Sequence, residues 1–95
     1  MRKFSSRSRL LVTSRTALTL YSRIYCHLCD DMLAALEALR GEFSFDVTVL
    51  DVDADPLLEA RYDELVPVLT APDGTELCHY LLDTAKVREY LAGFR

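Results

Sequence analysis

Acidic residues are missing from the first 23 positions of this 95-residue chain, although 15 follow in the remainder. Cysteine is scarce, with three in all, too few for the disulfide framework of a small secreted scaffold. No apolar run reaches the length of a membrane-spanning helix. No internal repeat is present, which excludes a solenoid. A chain this short supports one compact core and no more. What is there is the profile of a folded globular protein, 51% hydrophobic and 27% charged. The charge is divided unevenly. Residues 1–23 carry +6 (Arg2, Lys3, Arg7, Arg9, Arg15, Arg23) and residues 24–95 carry −10, for a net charge of −4. The acidic body argues against a nucleic-acid-binding domain and favours neutral or basic client proteins.

Residues 1–16, MRKFSSRSRLLVTSRT, are rich in Arg and Ser. Their one apolar run, Leu10-Leu11-Val12, is too short for the core of a secretory signal. The expected organisation is a basic, flexible N-terminal extension over 1–16 and a single domain over 17–95. A start codon placed too far upstream, a mitochondrial transit peptide, and a tail that binds RNA or an anionic membrane are the other readings of the extension. The expected location of the chain is the cytoplasm.

The domain reads as β-α-β-α-β-β-α. Ala17–Tyr21 is short and β-prone. A helix to about Arg40 is expected, with Leu28, Met32, Leu36 and Leu39 on one face and Gly41 as its cap. Residues 43–52 are β-branched and aromatic, and Val47–Leu50 reads as a central strand covered on both faces. Asp55-Pro56 opens a short helix that ends near Tyr62. Leu65–Leu69 and Thr75–Leu82 read as strands joined by the turn Ala71-Pro-Asp-Gly74. Asp83 caps a last helix with Val87, Tyr90 and Leu91 on one face. The fold class expected is α/β, a four-stranded mixed sheet with helices on both faces. Its first three strands are expected to be parallel neighbours, and the third and fourth antiparallel.

Chemistry concentrates in Cys26-His-Leu-Cys29, at a junction between strand and helix. Free N–H groups and the macrodipole at a helix N-terminus stabilise an anion, and a thiolate there is the nucleophile of thiol–disulfide exchange. Cys26 is expected to be the exposed attacker, with Cys29 half-buried one turn along as the resolver. Arg23 and His27 are the cations that would favour the thiolate, against which Asp30 and Asp31 would act. A CxxC is also half of a zinc site, with His27, Cys78 and His79 as further donors. Neighbours on a strand face opposite ways, so Cys78 and His79 cannot readily grip one metal together. No metal site is expected. Cys78 reads as a buried bystander and His79 as an exposed strand residue. Asp51 and Asp53 read as solvated strand-end carboxylates, and Phe43, Phe45, Tyr80 and Tyr90 as core or sheet-face packing. Pro67, inside an apolar β run, marks a strand start, an edge, a bulge or a cis bond. A cis Val66–Pro67 bond facing the CxxC would leave the Val66 backbone to pair with an extended substrate.

These residues together resemble the thioredoxin superfamily and, within it, the small glutaredoxin-like proteins, over about residues 17–92. Tyr21-Ser-Arg-Ile-Tyr-Cys-His-Leu-Cys29 is similar to the glutaredoxin run Tyr-Ser-Lys-Pro-Tyr-Cys-Pro-Tyr-Cys, and Arg23 stands at the lysine. Asp51-Val-Asp-Ala-Asp-Pro56 with Arg61-Tyr62 resembles the thioredoxin stretch leading to the cis-proline, which Val66-Pro67 matches. The resemblance implies a thioredoxin-like fold, Cys26 as nucleophile, Cys29 as resolver, and a substrate groove that includes Tyr25, Val66 and Pro67. The chain departs from the family at several points. The CxxC lacks a proline, Leu65 replaces a threonine, and the Gly-Gly and Asp elements that hold glutathione are absent from 77–83.

The activity expected is thiol–disulfide oxidoreduction through Cys26 and Cys29. The alternatives are a non-catalytic binding module of the same fold and a metal or iron–sulfur carrier. No cofactor is expected to be required, and glutathione is the alternative partner whose usual binding elements are missing. The partners expected are a protein or small-molecule disulfide and a thiol electron donor, with neither nucleic acid nor membrane, and the chain a monomer. His27 beside the thiolate would favour the reduced form and make the couple more oxidising.

Overall fold

The computed structural model describes residues 16–93, so the basic extension lies outside the described residues apart from Thr16. Strand β1 (Thr16–Ser22) leads through a short loop into helix α1 (His27–Ala38), which tightens into a 3-10 turn over Leu39–Gly41. Strand β2 (Phe45–Asp51) is followed by a 3-10 turn (Val52–Ala54) and helix α2 (Pro56–Tyr62). Strands β3 (Val68–Thr70) and β4 (Glu76–His79) precede helix α3 (Thr84–Ala92). The sheet order is β2-β1-β3-β4. β1 and β2 are parallel, in register from Thr16–Phe45 to Ser22–Asp51. β3 is antiparallel to β1, with Tyr21 opposite Val68, and β4 is antiparallel to β3. Among the described residues no helix is long and apolar enough to cross a membrane.

Alternation along the strands feeds two cores. Leu18 and Leu20 of β1 and Leu69 of β3 face α1 and α3, where they pack with Met32, Leu36, Phe45, Val87 and Leu91. Tyr21 and Val68 face the other way, onto Val52 and Tyr62 beside α2. Tyr21 and Tyr62 stack with ring centroids 4.3 Å apart. Helices thus cover both faces of a mixed four-stranded α/β sheet. The two N-caps match the sequence reading, whereas the C-cap of α1 is Leu39 and not Gly41, which lies inside the 3-10 turn. Asp55 accepts from the Leu57 N–H, and Asp83 accepts from the Lys86 N–H. Replacing Asp83 by alanine is expected to lower stability by about 1 kcal/mol, the usual value of an N-cap. Urea unfolding followed by circular dichroism would measure it, and an unchanged midpoint would remove the cap from the account.

Several local expectations are corrected. The third strand is antiparallel to the first. β2 ends at the same end of the sheet as β1, and α2 has only seven residues, about 10 Å of helix. That is too short to return the chain to the far end of strands more than ~20 Å long, so β3 starts where β2 stopped. Residues 45–51 form a strand at the sheet edge instead of a central one, because β1 already pairs on both sides. Val49 and Leu50 are accordingly exposed. The strand with proline inside it begins only at Val68, since Pro67 has no N–H for a ladder. The last strand stops at His79, where Tyr80 adopts φ +67° and the Leu81 N–H turns back to the His79 carbonyl at 2.8 Å. Tyr80 is therefore exposed, and Leu28, on the first turn of α1, is exposed where Cys29 takes the inward place.

Candidate active site

β1 delivers the chain to the end of the sheet, and the loop Arg23–Tyr25 turns it into α1. Tyr25 makes the turn with φ +63° and is fully exposed. Cys26 is the N-cap of α1 in extended conformation, and its Sγ accepts from the Cys29 N–H at 3.1 Å. The Asp30 N–H closes the first turn onto the Cys26 carbonyl at 3.1 Å. Cys26 and Cys29 are joined by a disulfide, with Cα atoms 5.2 Å apart. Cys26 is half-buried, whereas Cys29 is 4% exposed. The pair is therefore asymmetric. One cysteine is partly exposed at a helix N-terminus, and the other is buried in the core. A sulfur anion at Cys26 would meet a backbone N–H already aimed at it. His27 is exposed on the first turn, as are Asp30 and Asp31.

Pro67 is brought to the same end of the sheet, because Val68 pairs with Tyr21 one residue before β1 ends. It is fully buried, the Val66–Pro67 peptide is cis, and Val66 stands outside the sheet ladder, half-buried.

Arg23 occupies a place the sequence reading did not provide for. Its guanidinium grips Asp53 at 2.9 and 3.0 Å, pairs with the Asp63 carboxylate, and donates to the Asp63 carbonyl at 3.2 Å. The hydrogen bond to Asp53, then that to Asp63, holds the guanidinium further above its ordinary value, and the Arg23 hydrogen bond holds the Asp53 carboxyl below its own. Arg23 is thus already paired with two carboxylates. The cluster ties the loop before Cys26 to the end of α2. The side chains are 30% (Arg23) and 44% (Asp53) exposed, so water screens the pair and its effect is mainly positional. Asp63 was missed because it lies 40 residues from Arg23 with no local signal.

Cys78 is buried on β4, and burial pushes its thiol up. The reduced native protein is expected to be alkylated at Cys26 and to label Cys78 only after denaturation. Peptide mass mapping checks this, and labelling of Cys78 as fast as Cys26 would refute it. His79 is exposed and pairs with Glu76 at 2.6 Å. Among the described residues no three of His, Cys, Asp and Glu converge as metal ligands. A surface hollow of about 450 Å³ lies along Pro56–Leu65 and contains neither cysteine nor histidine.

Comparison with known proteins bears on the family and the fold. The family model of a glutaredoxin-like domain (DUF836) matches residues 17–92. An uncharacterized protein of Mycobacterium tuberculosis is 30% identical over 84 residues, which is 83% of this chain and 86% of that one. A Nitrosomonas europaea protein solved by NMR superposes with a TM-score of 0.77 at 36% identity, covering 87% of this chain and 99% of that one. Thioredoxin 1 of Thermosipho africanus superposes with a TM-score of 0.57 at 19% identity, covering 82% of this chain and 97% of that one, which shows the fold.

Proposed function

The chain belongs to the glutaredoxin-like (DUF836) family of the thioredoxin superfamily, and on that premise we propose that it catalyses reversible thiol–disulfide exchange through Cys26 and Cys29. One observation carries the reading. The partly exposed cysteine of the pair caps a 12-residue helix, and its Sγ already accepts a backbone N–H at 3.1 Å, with its partner cysteine buried.

In the reducing direction, the Cys26 thiolate attacks one sulfur of a substrate disulfide. The Cys26–substrate S–S bond forms, the substrate's own S–S bond breaks, and the first substrate thiolate leaves and takes a proton from water. Cys29 gives its proton to water and attacks Cys26 Sγ. The second substrate thiolate leaves, and two electrons have passed from the protein to the substrate. The protein is left as the Cys26–Cys29 disulfide, and a thiol donor returns the electrons and protons. The N–H of Cys29 supports Cys26 whenever it carries charge, as attacker or as leaving group. Val66, outside the ladder beside Pro67, offers its backbone to an extended substrate. Arg23 positions the loop through Asp53 and Asp63.

The test is a redox titration of the purified chain with alkylation and mass spectrometry. An intramolecular Cys26–Cys29 disulfide should form with a midpoint inside the cellular range, roughly −320 to −120 mV. If no such disulfide forms anywhere in that range, the dithiol mechanism is wrong.

A further inference from the structure

An apolar groove opens between the first turns of α1 and the segment joining β4 to α3. Leu28, Met32 and Ala35 form one wall, Leu81 and Leu82 the other, and Asp31 stands in the lining. Leu28 is the chain neighbour of Cys29, so this wall of the groove adjoins the turn of α1 that carries the cysteine pair. It measures about 230 Å³, below the roughly 300–1,000 Å³ of pockets that enclose a small ligand. It fits one or two side chains and not a whole cofactor.

The far wall is held by a hydrogen-bonded turn. The Tyr80 N–H donates to the Pro67 carbonyl at 2.9 Å, the Leu81 N–H to the His79 carbonyl at 2.8 Å, and the Tyr80 hydroxyl to the Glu64 carbonyl at 2.9 Å. These bonds connect the groove wall to Pro67 and leave Leu81 67% exposed, with Leu28 facing it at 41%. A leucine held in water by a fixed turn is an ordered apolar contact surface. The charge in its lining has one sign, while Lys86 follows on the first turn of α3. Asp31 lines the groove, Asp30 and the capping Asp83 adjoin it, and no Lys or Arg is among its lining residues.

We infer that this groove selects the substrate of the exchange site: a polypeptide disulfide whose cysteine is flanked by an apolar side chain and a Lys or Arg. The apolar side chain fills the space between Leu28 and Leu81, and the cation meets Asp31. Glutathione disulfide, with carboxylates on both halves and no apolar side chain, is disfavoured by the same surface. The inference rests on the exchange activity proposed above.

The test uses the reduced full chain and rapid quenching against three probes. One is a peptide with Leu and Lys beside a cysteine, carried as its mixed disulfide with 2-mercaptoethanol. The second is the same peptide with Gly and Glu in their places. The third is glutathione disulfide. The Leu/Lys peptide should react at least about tenfold faster than either other probe, as burial of one leucine-sized group allows. L81S and D31N, both surface changes checked for folding by circular dichroism, should each bring the ratio between the two peptides towards one. Equal rates for the two peptides, fastest reaction with glutathione disulfide, or a ratio that both variants leave untouched overturns the groove's role while the exchange chemistry stands. Failure to react with all three probes overturns the exchange reading itself, and the inference with it.

Discussion

Replacing Cys26 by serine is expected to lower disulfide reduction by roughly 10³-fold or more, about 4 kcal/mol in barrier. The hydroxyl keeps the shape of the cap but is not ionised at neutral pH, so the nucleophile is lost. Cys29→Ser should behave differently. The first attack still runs and the second cannot, so the substrate stays bonded to Cys26. Intact-mass spectrometry should then find a 1:1 adduct on C29S and none on C26S. The asymmetry follows from burial, since Cys29 is 4% exposed and only Cys26 is open to a partner. Adducts on the two variants in equal amount would mean that either sulfur can attack, and the assignment of roles would fall.

Phe45→Ala is expected to cost about 3–5 kcal/mol, the range for emptying a buried aromatic site. Phe45 is fully buried, under the Arg40 guanidinium at 5.2 Å, and Arg40 donates to its carbonyl at 3.2 Å. A domain of this size has a total stability of the same order. The melting midpoint should fall by about 15 °C or more. Val49→Thr, on the same strand but 47% exposed at the sheet edge, should change stability by no more than about 0.5 kcal/mol. Thermal unfolding monitored by circular dichroism compares them, and similar losses for both would contradict the placement of β2 at the edge.

That edge shows where reading along the chain stops. Val47–Leu50 is an apolar run in either location, and a run of that length does not reveal whether a strand has neighbours on both sides. The direction of β3 was equally hidden, because it depends on how far α2 carries the chain. The caps at Asp55 and Asp83 were legible because a cap is a contact between residues two or three apart. The helix face of Met32, Leu36 and Leu39 was legible from its period, and only its first member, Leu28, was displaced by the start of the helix at His27.

The sequence by itself determined the pair Cys26 and Cys29 at a helix start, the order of elements, the proline at 67 and the split between a basic head and an acidic body. These depend on neighbours along the chain or on composition. The tertiary structure alone decided three things. It paired Arg23 with Asp53 and Asp63 from 30 and 40 residues away. It set Pro67 at the disulfide's end of the sheet through the pairing of Val68 with Tyr21. It also raised Leu81 opposite Leu28 to make a groove. Each joins segments far apart in the chain, and such contacts are selected by the packing of the whole sheet and not by any local preference.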